Sequence, residues 1–397
     1  MRSWPRQRHG VACVAVAAVL AGCMLAAPAA AAAAAWRVGP AGLAFYSPPK
    51  WLLAGSHGSV IWARTVRSPL SAAGRAYLVL YRSRSVDGNP IEVSGMVEIP
   101  KGRAPRRGWP VVSWAHGTIG IADVCAPSRS PSAAINAYAF PEFNSWLRRG
   151  YALARTDYEG LGTPGVHPYL VGRSEGRSVI DVVRAARALN PGVGRRWIVA
   201  GHSQGGQAAL FAAALGPSWA PELSLRGVAA FAPVSHLGTL FRALGVFTAP
   251  SPLSGNVAMI IAGAGAVDPA VRPAQLFSPQ AAPLIPQIER DCVAALDGPG
   301  EFGAIAPAQV VRSGADLEPL ERVVDAENPA LRIRVPVLIL QGLSDTSVPP
   351  AFTAQLIPEL RALGDAATYL TYPGVDHISL VAKGAATTTQ FFAAHLR

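Results

Sequence analysis

Three side chains in this sequence have the types and the order that acyl transfer would need. Ser203 lies in "GHSQG", the pattern Gly-x-Ser-x-Gly, with Gly201 two residues before it and Gly205 two after. A serine hydroxyl attacks a carbonyl only when a base takes its proton, an acid orients that base, and fixed donors receive the charge developing on the carbonyl oxygen. The small neighbours matter because such a serine sits on a strained strand-to-helix turn, where two chain segments cross closely. On its own the motif is equally a plain Gly-rich connection; its place between an apolar run and an Ala-rich helix is what favours a nucleophile.

An acid and then a histidine are expected downstream, each after a strand. Asp345 stands in "LILQGLSDTSVPP" and His377 in "YPGVDHISL", both just past apolar or β-branched runs. Asp376 is a rival acid, but adjacent residues seldom aim their side chains at each other, so Asp345 is preferred. His116 precedes the serine, and His202 lies inside the motif and reads as a packing residue of the turn. The oxyanion donors are expected to be the backbone N–H of Gln204 and a second N–H from Gly117 or Thr118, in the loop "WAHGTIG". The positive end of the helix that follows Ser203 favours the same developing charge.

These residues need a sheet to carry them. "AYLVLYRSRS" and "PIEVSGMVEIP", joined through "DGN", read as an antiparallel pair opening a sheet. "WPVVSWAHG" is apolar without alternation, as a strand covered on both faces would be. From Tyr151 onward, strand, loop and helix alternate, which predicts a mostly parallel α/β sheet with helices on both faces. In "SEGRSVIDVVRAARAL", Ile180, Val183, Ala186 and Leu189 share one face, with Arg177, Asp181, Arg184 and Arg187 largely on others. A single last helix is expected from about Leu380 to His395, and short helices at Pro286 to Leu296 and Ala315 to Glu327. The expected organisation is a signal segment over residues 1–35, an irregular Pro-rich arm over 36–75, and a sheet domain over 76–234 and 335–397. The Gly, Ala and Pro-rich stretch 235–334 is too long for a structureless loop and reads as a helical cap inserted between the two parts of the sheet domain.

Half of the 397 residues are hydrophobic, enough for a large core. The formal charge of +11 rests almost wholly on scattered arginines, with lysine only at Lys50, Lys101 and Lys383. No basic stripe interleaved with aromatic residues exists, so nucleic-acid binding is not expected. Arg2, Arg6 and Arg8 precede an apolar stretch from Val11 to about Leu25 and an Ala run to Ala35, the pattern of an export signal and too short and Ala-rich for a membrane span. "LAGC" also matches the run before a lipidated cysteine, which makes anchoring at Cys23 the alternative to simple secretion. After cleavage only Cys125 and Cys292 remain, and in an oxidising compartment they are expected to form one disulfide, two separately buried thiols being the alternative.

Taken together, "AHGT", "DYEGLGTPGVHPYLVGRSEGRSVIDVVRAAR", "GHSQGG", "ENPALRIRVPVLILQGLSDTSVP" and "YPGVDH" resemble the secretory lipase family of α/β-hydrolases, known in actinobacteria and fungi, from about Ala76 to the C-terminus. The resemblance implies an α/β-hydrolase fold with a helical lid and a serine esterase or lipase acting on triacylglycerol or other acyl esters, with no cofactor and no metal. It carries the triad onto Ser203, Asp345 and His377, and it implies that Asp157, Tyr158 and Gly160 shape a loop near the pocket. The partner expected is a lipid or other acyl ester, met by a monomer at an oil-water interface. An acyltransferase or peptidase on the same scaffold is the alternative, and a binding protein with an idle site a further one.

Overall fold

The computed structural model describes residues 36–130 and 137–396; the expected export signal, with Cys23, lies outside the described residues. Nine strands make one sheet: β1 Val60–Val66, β2 Ala73–Arg84, β3 Pro90–Pro100, β4 Trp109–Ala115, β5 Ala152–Thr156, β6 Val193–His202, β7 Ser224–Phe231, β8 Val337–Gly342 and β9 Ala367–Tyr372. Their spatial order is β1-β2-β3-β5-β4-β6-β7-β8-β9. The first three pair antiparallel, β3 pairs antiparallel with β5, and every later pair is parallel.

Alternation of side chains decides what each face buries. Ile198, Ala200, Ala229, Phe231, Leu338 and Leu340 join the core on one face, with Trp114, Phe143 and Trp146. Trp197, Val199, Val228, Ala230, Val337 and Ile339 join the core on the other, beneath the helices Gly172–Leu189 and Gln204–Trp219. All seven residues of β4 and all six of β8 are buried, which is why neither stretch alternates in sequence.

Residues 235–334 carry the helices Leu237–Leu244, Leu253–Gly265 and Glu318–Asp325, with single turns at Pro273–Leu276, Ile285–Ile288 and Val293–Leu296. Val257, Ile261, Phe277 and Phe302 of this segment are buried in the same cluster as Trp114 and Phe231 of the sheet. The insertion therefore shares its core with one sheet face instead of building a separate one.

Two expectations need correction. The arm is not wholly irregular: Val60–Val66 forms the edge strand β1 against β2. Its "VIWARTV" is short and closely followed by Pro69, and it is ordered by a partner it cannot announce locally. The charged residues on the other faces of the helix Gly172–Leu189 are not all exposed: Asp181 is fully buried and Arg177 nearly so. Asp181 accepts from Ser83 Oγ at 2.8 Å and Trp219 Nε1 at 3.0 Å, and pairs with His57 of the arm at 2.7 Å. Finally, the last helix is two, Ser379–Lys383 and Ala385–His395, separated at Gly384. A Cβ on Gly384 would come within 2.8 Å of Leu340 and 2.9 Å of Phe231, so the break falls where the chain packs closely on the sheet.

Candidate active site

Parallel strands bring their C-terminal ends to one edge, and that edge receives every residue singled out for chemistry. The loop after β4 carries His116, Gly117 and Thr118, β6 ends at His202 directly before Ser203, and Asp345 and His377 follow β8 and β9. Ser203 has φ 60° and ψ −119°, a left-handed backbone that a non-glycine residue holds only under constraint. The constraints are visible: its N–H donates to the Phe231 carbonyl at 2.8 Å, and its own carbonyl accepts from Gly206 and Gln207 at the start of the helix. A Cβ on Gly201 would lie 2.0 Å from the Gly205 carbonyl oxygen, and one on Gly205 would lie 2.0 Å from that of Ala115. Strand, turn, helix and neighbouring strand cross so closely that only glycine fits at both places.

His377 Nδ1 lies 2.7 Å from Asp345 Oδ2. The other oxygen, Oδ1, accepts from the backbone N–H groups of Ser347 and Val348, both at 2.9 Å, so the carboxylate cannot turn away. Asp345 is buried, whereas Asp376 is exposed and accepts from the Ser379 N–H at 2.8 Å, holding its carboxyl below the usual range. Of the two acids, it is Asp345 that meets the imidazole.

The loop after β4 is held by side chains on both sides. Tyr158 Oη donates to the His116 carbonyl at 2.9 Å, and His116 Nδ1 donates to the Gly117 carbonyl at 2.7 Å. The Gly117 N–H faces the Tyr138 hydroxyl. A trans peptide points its N–H opposite its C=O, so with the Gly117 carbonyl turned to His116, the Thr118 N–H turns the other way. Burial pushes His116 down to about 4, which keeps it neutral and a single donor.

Asp157 and Tyr158 directly follow Arg155 and Thr156, which border the cavity at Ser203. Asp157 is buried behind it, accepting from Ser94 Oγ at 2.6 Å and the Ser128 N–H at 3.0 Å, with its carboxyl raised by burial. Tyr158, at φ 76°, acts on the loop after β4 from below. Gln204 is also tied from behind: its Nε2 donates to Glu175 Oε1 at 2.7 Å and to His167 Nε2 at 3.0 Å. His167 Nδ1 donates to the Glu159 carbonyl at 2.8 Å, which leaves Nε2 as the acceptor. Burial raises the Glu175 carboxyl well above the carboxylate range.

Ser203, His377, His202, Gly117 and Thr118 border a cavity of about 370 Å³. Its walls are largely apolar, from Trp114 and Phe143 on the sheet side to Leu237, Leu244, Leu253 and Ile260 of the insertion. One polar string crosses it, Thr118 Oγ1 to Tyr169 Oη at 2.7 Å and Tyr169 Oη to Asn256 Nδ2 at 3.0 Å. Tyr138, Asn256 and Asp297 lie outside every quoted motif, and Tyr169 lies within one, in "GVHPYLVG", with nothing local to single it out. Cys125 and Cys292 are bonded, joining the segment after the β4 loop to the insertion, and the Val293 N–H donates to the Ile119 carbonyl at 3.0 Å beside them. Among the described residues no group of three or more His, Cys, Asp or Glu side chains is placed to hold a metal ion.

Comparison with known proteins bears on this geometry. Residues 142–392 match the model of the secretory lipase family. The chain is 28% identical over 239 residues to a probable inactive lipase of Mycobacterium tuberculosis, covering 55% of this chain and 50% of that one. It is 27% identical over 216 residues to Lipase A of Moesziomyces aphidis, covering 51% of this chain and 44% of that one. The chain thus spans about half the length of these relatives or less. Among solved structures, Candida antarctica lipase A in its closed state aligns with a TM-score of 0.74 at 20% identity, over 88% of this chain and 84% of that one. The rice cell wall degrading esterase LipA from Xanthomonas oryzae aligns with a TM-score of 0.69 at 18% identity, over 85% and 96%. These likenesses show that the fold is that of the α/β-hydrolases. With its family model matched over well more than half its length, the chain belongs to the secretory lipase family.

Proposed function

We propose that this protein is an exported serine carboxylic-ester hydrolase, acting on triacylglycerols or related acyl esters. Ser203 Oγ attacks the ester carbonyl while His377 Nε2 takes its proton, then returns it to the departing alcohol. Asp345 holds the imidazole and stabilises its charge. The backbone N–H groups of Gln204 and Thr118 receive the oxyanion, and water, activated by the same histidine, releases the acid from the acyl-enzyme. The observation that carries the reading is the 2.7 Å contact between His377 Nδ1 and Asp345 Oδ2 beside a serine held at φ 60°. The apolar cavity favours an acyl chain over a peptide side chain. The insertion over 235–334 is read as the lid and the leader over 1–35 as the export signal, lipidation at Cys23 being the alternative exit.

The relative named as a probable inactive lipase raises a second reading, a protein with an idle site. Here serine, acid and base are all present, which favours activity. Labelling by a fluorophosphonate decides between the two: the wild type should be labelled and Ser203→Ala should not. Equal labelling of both would refute Ser203, and none in either would support the idle site. Release of fatty acid from triacylglycerols of graded chain length, set against short soluble esters and peptide amides, tests the substrate class.

A further inference from the structure

By sequence alone His202, the residue before the serine, is a packing residue of the turn; its surroundings point to more. His202 is buried, and its Nε2 lies 3.0 Å from the main-chain carbonyl of His377. A carbonyl only accepts, so Nε2 carries the proton and donates it. On its other side, Nδ1 lies 3.2 Å from Tyr138 Oη, which must then be the donor. The two imidazole rings face each other with centroids 4.4 Å apart at 43°. The nest is tight, since a Cβ on Gly117 would come within 3.3 Å of His202 Nδ1 and 3.2 Å of its carbonyl oxygen.

The loop that carries His377 is otherwise a surface turn. Asp376 and Ile378 on either side of it are exposed, and Asp345 grips only the Nδ1 edge of the ring. A ring held at one edge can still tilt its Nε2 across the space above Ser203.

We infer that His202 is a positioning residue for His377: it fixes the main chain of the base and packs against its ring, so that Nε2 stays aimed at Ser203. This rests on the serine-hydrolase reading above and adds to it a residue through which the base is held. The proton arrangement suits the role, because Tyr138 and the His377 carbonyl together select one tautomer. Burial and the neighbouring His377 both push the His202 imidazole well below its ordinary value. His202 therefore stays neutral and places no second positive charge beside the imidazolium that forms at His377 during turnover.

The test compares His202→Leu with His202→Gln in the full chain. Glutamine places an amide N–H near the position of Nε2 and can restore the bond to the carbonyl; leucine fills part of the volume without it. With a soluble nitrophenyl ester, His202→Leu should lower kcat about 10- to 100-fold with KM within about threefold of wild type, the scale expected when a catalytic group is misplaced by about 1 Å. His202→Gln should recover most of that loss. The low-field proton resonance of the His377–Asp345 bond should shift or broaden in His202→Leu and return in His202→Gln. Equal losses in both variants, an unchanged kcat in His202→Leu, or an undisturbed resonance would overturn the inference. A wild type that a fluorophosphonate does not label would instead bring down the hydrolase reading on which it rests.

Discussion

Replacing Asp345 by asparagine should stop turnover while leaving the fold intact, and the reason is geometric. The carboxylate has two distinct ends. Oδ1 accepts two backbone N–H groups, from Ser347 and Val348. Oδ2 meets His377 Nδ1 at 2.7 Å and Gln341 Nε2 at 3.3 Å. An asparagine must keep its oxygen between the two backbone donors, since a donor there would face donors. Its amide nitrogen is then forced against Nδ1 of His377 and the amide of Gln341. The histidine answers by moving its proton to Nε2, the atom that must be free to accept from Ser203. The imidazolium formed during attack also loses a negative charge about 4 Å away, worth about 4 kcal/mol at an effective dielectric near 20, or about three decades of rate. With the wrong tautomer added, kcat should fall about 10³- to 10⁴-fold, and KM should change little. Because both backbone hydrogen bonds persist, Tm should stay within a few degrees. Initial rates on a soluble nitrophenyl ester, with calorimetry on the same preparations, measure both. A loss in kcat below about tenfold would refute Asp345 as the acid, and a large fall in Tm would mean that the effect is structural. Asp376→Asn is the control: that side chain is exposed and turned to the Ser379 N–H, so kcat should stay within about threefold.

Removing the bridge between Cys125 and Cys292 releases a loop closed over 167 residues, so Cys125→Ser with Cys292→Ser should cost about 2–5 kcal/mol and lower Tm by several degrees, as thermal melts will read; an unchanged Tm would mean that the bridge constrains little. Glu327 is buried with its Oε2 on the Gly172 N–H, and burial raises it from 4.5 to about 7. Between about pH 4.5 and 7 the folded chain keeps a proton that the unfolded chain releases, so stability falls as pH rises through that window, by about 3 kcal/mol at most. Glu327→Gln keeps an acceptor for Gly172 and loses this titration, so the fall in Tm from pH 5 to pH 8 should shrink; a slope equal to wild type would refute the assignment. Tyr158→Phe removes the buried donor to the His116 carbonyl and should cost about 1–3 kcal/mol with a fall in kcat as the loop loosens, measured by melts and ester rates together; stability and rate both at wild-type values would refute the support role.

What the sequence disclosed was whatever a short stretch of chain demands of itself. Gly201 and Gly205 announce the turn because the crossing leaves no room for a Cβ, and that requirement is met within five residues. β4 and β8 announce burial on both faces by running mostly apolar without alternation. Asp345 and His377 follow because each must stand just past a strand at the same sheet edge, which the order of elements already implies. The misses share the opposite property. The arm's strand β1 shows itself only through its partner β2, and the burial of Asp181 only through Ser83, His57 and Trp219, none of them near it in sequence.

His202 is the same problem inside the site. Its neighbours in sequence are the strand and the serine, and they suggest only packing. Its chemistry comes from the His377 carbonyl 175 residues away and from Tyr138 64 residues before it. A motif shows where a nucleophile must be made to fit, because strain is local. What holds the base in line with that nucleophile is supplied by segments that meet only when the sheet has closed, so positioning residues are found by asking of each buried polar atom at the sheet edge which group it serves. Applied to His202, that question turns a packing residue into a positioning residue, whose loss should lower kcat and leave KM nearly unchanged.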